Sequence, residues 1–328
     1  MKRLLKNIII AVVRLVLSPV HTSILLQLNK RIPKFWMVFP SNRTVVFEKY
    51  LNEFTMLINT KFAKEREFLY GIHKKPAYFI IKKLVNEGDF CMEIGAGIGA
   101  SVLILAKATG PNGKVFAFEP DPFLYERLKN NVRINRSIAD SVRVYYSGLS
   151  YHEGTMYWHE RENAPGDSTF GDEITPYSIP VKVTTIDGFV NTLQTNRLDF
   201  IKIDVGDMAY QIIMSGIRTY GKFRPILYYR SLKRYEDSME VPVSREIQRI
   251  LEPLEYSFFK LNDKNMFETV SYPVFSESTI ALPKEKIERL VPYFGKGVFT
   301  SLYWEQKAKP LRAHNKHIIH TFQAVSSH

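Results

Sequence analysis

GDFCMEIGAGIGA, residues 88–100, is the stretch on which the fold turns. An apolar run, DFCMEI, passes into Gly95, Gly97 and Gly99 and then into the helix-forming SVLILAKA. Glycines there permit a tight turn and bring backbone N–H groups, at a helix N-terminus, close to a ligand. Outward from this turn, strand-like and helix-like stretches alternate: a helix opening at Pro76, KVFAFE (114–119), a helix from Pro122 to Asn135, and VRVYY (142–146). DFIKID (199–204), a helix near 207–220, PILYY (225–229) and a last helix near Ser244 continue the series. Such alternation predicts an open, doubly wound, mostly parallel α/β sheet. The runs at 256–261 and 277–282 are expected to close it antiparallel, and TMYWH and VKVTT within 155–185 to form an inserted hairpin. No internal repeat or low-complexity tract interrupts the pattern.

The glycine spacing alone does not choose a ligand, because Gly95, Gly97 and Ala100 also satisfy the dinucleotide pattern GxGxx(G/A). Two acids decide it. Glu93 stands two residues before the first glycine, at the end of an otherwise apolar strand. A pyrophosphate would be repelled there, whereas the ammonium and sulfonium of S-adenosyl-L-methionine would be attracted. Glu119 ends the next strand, 20 residues after Gly99, where a carboxylate can accept both hydroxyls of a ribose. Asp121, followed by Pro122, reads first as a helix N-cap and second as a wall of the adenosine pocket.

Composition excludes other classes. With 45% apolar and 24% charged residues in 328, the chain is globular rather than disordered. Its single cysteine, Cys91, forms neither an internal disulfide nor a thiolate metal site, which fits a cytoplasmic compartment. The net charge of +12 is concentrated: eight cations and no acid precede Glu48. That position argues against a nucleic-acid-binding face on the main domain. Within residues 2–17, Lys2, Arg3, Lys6 and Arg14 fall together at about 100° per residue. The segment reads as a helix lying on the inner face of an anionic membrane, or as a helix docked on its own domain. Arg14 and Pro19 leave the apolar run short of a membrane span. His314, His317 and His320 in the tail lack a Cys or acid partner nearby, so no metal is expected. His152 and His159 border the inserted hairpin, and a surface role is expected for each.

FEPD, KNNVRIN, GLSYHEG, VTTIDGF, LDFIKIDV and RPILYY succeed one another in the order and spacing of the FkbM-type methyltransferases, which the chain resembles over roughly residues 75–285. The resemblance implies the Rossmann-like sheet of class I methyltransferases, with S-adenosyl-L-methionine as cofactor. It further implies methylation of a hydroxyl on a glycan, a lipid-linked acceptor or a related small molecule. Carried over residue by residue, Glu93, Gly95, Gly97, Gly99, Glu119, Pro120 and Asp121 bind the cofactor. Ser147 and Gly148 border the adenine, and Asp204 sits near the transferred methyl. The chain departs from the family where chemistry is expected: the pattern Asp-Val-Glu-Gly is replaced by Asp204, Val205, Gly206 and Asp207, and Tyr228, Tyr229 and Arg230 end the fifth strand. Gly97 takes the place of the usual Asn. Asp204 is the candidate base. Asp207 either substitutes for the missing glutamate or caps the next helix, the cap being the preferred reading. A catalytically silent S-adenosylmethionine-binding partner or sensor is the alternative to an enzyme. The expected organisation is a basic segment (1–47), a connecting helical segment (48–74), a methyltransferase domain (75–292) and a basic aromatic tail (293–328).

Overall fold

The computed structural model describes residues 44–59, 62–69, 75–159, 169–171, 174–230, 243–262, 265–270 and 278–293. The basic segment 2–17 and the histidines of the tail lie outside them. Two strands open the described chain, β1 (Thr44–Tyr50) and β2 (Phe54–Asn59), paired antiparallel, with α1 (Ala63–Leu69) and α2 (Lys75–Leu84) after them. The expectation of a helical connection over 48–74 is therefore corrected: its first part is hairpin, and α1 is short. Phe54, Met56 and Ile58 alternate inward along β2 and join the main core, so no packing boundary separates this hairpin from the main sheet and its helices.

The parallel core is built from β3 (Phe90–Ile94), α3 (Ala100–Thr109), β4 (Lys114–Phe118), α4 (Pro122–Ile134), the short α5 (Arg136–Ala139) and β5 (Val142–Tyr145). A second small sheet comes next, made of β6 (Gly148–Leu149), β7 (Gly154–His159), β8 (Thr169–Gly171) and β9 (Ser178–Thr184). β7 and β9 pair antiparallel, as the inserted hairpin required, and β6 and β8 extend it to four strands in the order β6-β9-β7-β8. After it come α6 (Ile186–Thr192), β10 (Phe200–Ile203), a 3-10 turn at Gly206–Met208, α7 (Ala209–Met214), α8 (Ile217–Phe223) and β11 (Ile226–Tyr229). The remaining elements are α9 (Val243–Leu251), β12 (Tyr256–Leu261), β13 (Phe267–Thr269) and β14 (Thr279–Pro283).

The main sheet runs β13-β12-β14-β11-β10-β3-β4-β5, with β3, β4, β5, β10 and β11 mutually parallel. β14 lies against β11 and runs antiparallel to it, which bears out an antiparallel last strand. β12 is antiparallel to β14 and therefore points the same way as β11; of the two closing runs only the second reverses. Strand residues alternate between two apolar layers. Cys91, Val115, Phe200 and Ile226 face the layer shared with α2, α3, α4 and the hairpin, while Met92, Phe116, Ile201 and Leu227 face the layer under α6, α7 and α9. Burial on both sides explains why these strands read as continuous apolar runs.

The VTTIDGF stretch holds the small sheet to the main domain. Thr185 caps α6 through its hydroxyl, which accepts from Gly188 N–H at 2.8 Å. The Asp187 carboxylate reaches over to the start of α8, accepting from Thr219 N–H at 2.8 Å and from Arg218 N–H at 3.2 Å. Those donors have no intrahelical partner, so a buried acid supplied by another element satisfies them. Among the described residues no helix is long and apolar enough to cross a membrane.

Candidate active site

β3 ends in the glycine turn because three consecutive requirements fall on it. Gly95 has φ 78°, and a Cβ there would stand 2.6 Å from the Asp204 carbonyl oxygen and 2.9 Å from Val205 Cγ1. Only the absence of a side chain lets the end of β3 lie against the end of β10. Gly97 has φ 56°, and among the described residues a Cβ placed on it would meet no atom within 4 Å, so this side of the turn has room for a ligand. That is a left-handed geometry Asn tolerates, which accounts for the exchange of Asn and Gly at this position. Gly99, at φ 96°, is the N-cap of α3 and makes no side-chain cap.

Glu119 comes directly after β4 and is buried, 4% exposed. Its Oε2 accepts from Gly97 N–H at 2.6 Å and its Oε1 from Asp121 N–H at 3.0 Å. The intervening Pro120 has no N–H, so the carboxylate skips it. Each oxygen keeps a lone pair, which two vicinal hydroxyls can fill. Burial pushes the Glu119 carboxyl up to about 7, against the opposing pull of the two N–H donors. Asp121 is the α4 cap its sequence context called for, its Oδ1 accepting from Phe123 N–H at 2.9 Å and Leu124 N–H at 3.1 Å. Ser147 stands where β5 hands over to the small sheet; its hydroxyl donates to the Lys182 carbonyl at 2.9 Å. Gly148 pairs with Val183, and a Cβ there would meet the Phe170 ring at 2.6 Å.

The second half of the site is a row of charges across three strands. Lys202 on β10 is in register with Glu93 on β3 and Tyr228 on β11, so the three side chains share one face of the sheet. Lys202 Nζ donates to Glu93 Oε1 at 2.6 Å, both groups buried, and lies 3.5 Å from Asp204 Oδ2. Arg230 Nη2 is 2.5 Å from Asp204 Oδ1. Two acids and two bases thus alternate as Glu93, Lys202, Asp204 and Arg230. Glu93 Oε2 is buried and makes no hydrogen bond among the described residues. Burial pushes the Glu93 carboxyl up to about 7 despite the Lys202 charge. For Lys202 burial acts downward, and Glu93 with Asp204 outweighs it, leaving the ammonium raised.

Lys202 is the residue that reading the sequence missed. Its signal was present: a lysine inside the apolar strand FIKI has to be paired, since a lone buried ammonium is prohibitive. Asp207 also needs correction. The helix starts after Asp204 fall at Val205 and Met208, and neither makes a side-chain cap, so Asp207 sits inside the 3-10 turn and is not the expected N-cap. Gly206, at φ 60°, holds the left-handed position that opens this turn. His159 lies in β7 with Nδ1 3.4 Å from Ser178 Oγ, and His152 packs on the Tyr151 ring at 4.5 Å. Among the described residues no group of three or more His, Cys, Asp or Glu side chains could hold a metal.

A buried acid with spare lone pairs beside an open glycine turn, and a second buried acid with an unsatisfied oxygen, fit a ligand carrying a diol and a cationic group. Together with the strand order they define a class I methyltransferase domain. The chain belongs to the methyltransferase FkbM domain family, which it matches over residues 93–269, and this family is S-adenosylmethionine-dependent. A methyltransferase of Sordaria araneosa, sdnD, is 32% identical over 119 residues, covering 33% of this chain and 45% of that protein. The chain spans less than half the length of the curated relatives it matches. A methyltransferase FkbM from Methylobacillus flagellatus aligns in structure at 16% identity and TM-score 0.40, covering 67% of this chain and 52% of that one. An S-adenosylmethionine-dependent O-methyltransferase from Thermotoga maritima aligns at 17% identity and TM-score 0.37, covering 64% of each chain.

Proposed function

We propose that the protein is an O-methyltransferase that methylates a hydroxyl of a glycan, a lipid-linked acceptor or a related small molecule. The observation that carries this reading is the contact of the glycine turn with Asp204: a Cβ on Gly95 would stand 2.6 Å from the Asp204 carbonyl. A hydroxyl held by the Asp204 carboxylate would lie beside whatever the glycine turn binds. When bound, the cofactor supplies an activated methyl for in-line displacement. Glu119 accepts the ribose hydroxyls, Gly95, Gly97 and Gly99 give the backbone room to approach, and Pro120 and Asp121 fix the entry of α4. Ser147 and Gly148 border the adenine. Glu93 offers its unpaired Oε2 to the cationic end.

Asp204 orients the acceptor and takes its proton, with Lys202 and Arg230 holding the carboxylate in place. Asp207, where the family pattern has its glycine, follows within the 3-10 turn Gly206–Met208. In Asp204→Asn the affinity for S-adenosylmethionine should stay within a fewfold while methyl transfer to a panel of glycans falls by about 10²–10⁴. An Asp204→Asn variant that turns over as fast as wild type removes the base from the account.

The altered Asp-Val-Gly-Asp segment favours a second reading, a silent cofactor-binding partner or sensor. Tight binding with no transfer to any acceptor class would select it. We also propose a cytoplasmic protein held peripherally on an anionic membrane by residues 2–17, with no nucleic-acid partner. Salt-sensitive sedimentation with anionic vesicles, absent after deletion of residues 2–17, tests the contact.

A further inference from the structure

The hairpin β1–β2 lies before the matched residues 93–269, yet it is tied to the cofactor turn by a single amide. Asn131 in α4 and Asn135 at its C-cap are about one turn apart, a rise of about 6 Å. Thr55 and Leu57 are two residues apart on β2, a rise of about 6.7 Å. The near-match lets each asparagine amide pair with the N–H and C=O of one strand residue, as a residue of a neighbouring strand would. Leu57 N–H donates to Asn131 Oδ1 at 2.6 Å and Asn131 Nδ2 returns to the Leu57 carbonyl at 3.4 Å. Thr55 N–H donates to Asn135 Oδ1 at 3.0 Å and Asn135 Nδ2 returns to the Thr55 carbonyl at 2.7 Å.

Asn131 does something Asn135 does not. Its Nδ2 also donates to the Ile98 carbonyl at 2.7 Å, and Asn131 is fully buried. Ile98 lies between Gly97 and Gly99, both at positive φ, and Gly97 N–H is one of the two donors to Glu119. One side chain therefore links strand β2, the glycine turn and, through that turn, the ribose acid. A latch at the other end of the hairpin keeps it seated: Glu65 Oε2 accepts from Asn59 N–H at 2.6 Å, and its Oε1 pairs with Arg127 of α4. At the hairpin tip Tyr50 is buried among Phe54 and Phe68 within the field of Lys202.

We propose that Asn131 is a positioning residue for the cofactor, and that through it the hairpin outside the matched domain is a working part of the cofactor site. The inference rests on the S-adenosylmethionine reading above. Full-length wild type, Asn131→Ala and Asn135→Ala are titrated calorimetrically with S-adenosylhomocysteine. Both variants lose hairpin bonds and should melt earlier by similar amounts, but only Asn131→Ala loses the bond to the turn. Its affinity should fall about tenfold, with Asn135→Ala within about twofold of wild type. Equal losses in the two variants, or none in Asn131→Ala, overturn the proposal. Failure of wild type to bind is a separate result, and it defeats the cofactor reading instead.

Amide exchange in the wild type gives a second test that needs no variant. Coupling is reciprocal, so S-adenosylhomocysteine should slow exchange at Leu57, whose N–H is held by Asn131, while leaving Phe259 in β12 unchanged. Unchanged exchange at Leu57 also overturns the proposal.

Discussion

Glu119→Gln is the substitution whose outcome the geometry specifies most tightly. Both carboxylate oxygens already accept from backbone N–H groups, Gly97 at 2.6 Å and Asp121 at 3.0 Å. A glutamine has one oxygen and one NH2, so one of those donors must face another donor in a site 4% exposed. An unsatisfied buried donor costs about 1–3 kcal/mol, which corresponds to roughly a five- to hundredfold loss of cofactor affinity if it falls on the bound state. The pH dependence gives the sign independently. The Glu119 carboxyl is raised from 4.5 to about 7, so the folded protein holds this proton more tightly than the unfolded chain. Its contribution to ligand-free stability is complete below about pH 4.5 and is lost as the pH rises through 7. Cofactor hydroxyls prefer the ionised acceptor, so wild-type affinity should rise by about tenfold between pH 6 and 8. Titration with S-adenosylhomocysteine across that range checks both numbers. A Glu119→Gln protein that binds as wild type, with the same pH profile, would refute the assignment.

Lys202→Met removes the cation from a buried pair and leaves the Glu93 carboxylate alone. The penalty, of the order of 3–5 kcal/mol when Glu93 is ionised, should be larger at pH 8 than at pH 6, and equal losses of melting temperature at the two pH values would contradict the pairing. Gly95→Ala places a methyl against the Asp204 backbone at a positive φ, so cofactor binding and stability should fall together in calorimetry and thermal melts. The exchange Gly206→Glu with Asp207→Gly restores the family order but puts a side chain on φ 60°. A stability loss of about 1–2 kcal/mol in denaturant titration is expected, and a gain would show that the 3-10 turn is remodelled.

The parts of the fold that were legible are those where burial leaves a clear trace. β3, β10 and β11 read as apolar runs because both their faces are covered, and the glycine turn read as a ligand site because a buried strand ended in an acid. The first hairpin was hidden by its turn. Leu51 and Asn52 both take positive φ, and although Asn52 suits that conformation, YLNEF lacks the Asn-Gly or Asp-Gly pair that marks a tight hairpin. The inward alternation Phe54, Met56, Ile58 was present but short. Lys202 was hidden because LDFIKIDV stood out as a family motif, and a buried ammonium that needs an acid shows only once the strands are paired. Asp207 misled because an aspartate before a helix resembles a cap, and the chain spends that position inside a 3-10 turn. The reversed order of β12 and β14 could not be read at all, since strand direction is set by the long connection and not by the strands themselves.

The central claim is that this glycine turn, with Glu119 behind it, holds S-adenosylmethionine rather than a dinucleotide. Calorimetric titration of the full-length protein with S-adenosylmethionine, S-adenosylhomocysteine and NAD tests it directly. Saturable one-to-one binding of the first two, with no measurable heat from NAD, is the expected result; binding of NAD without binding of S-adenosylmethionine would contradict it.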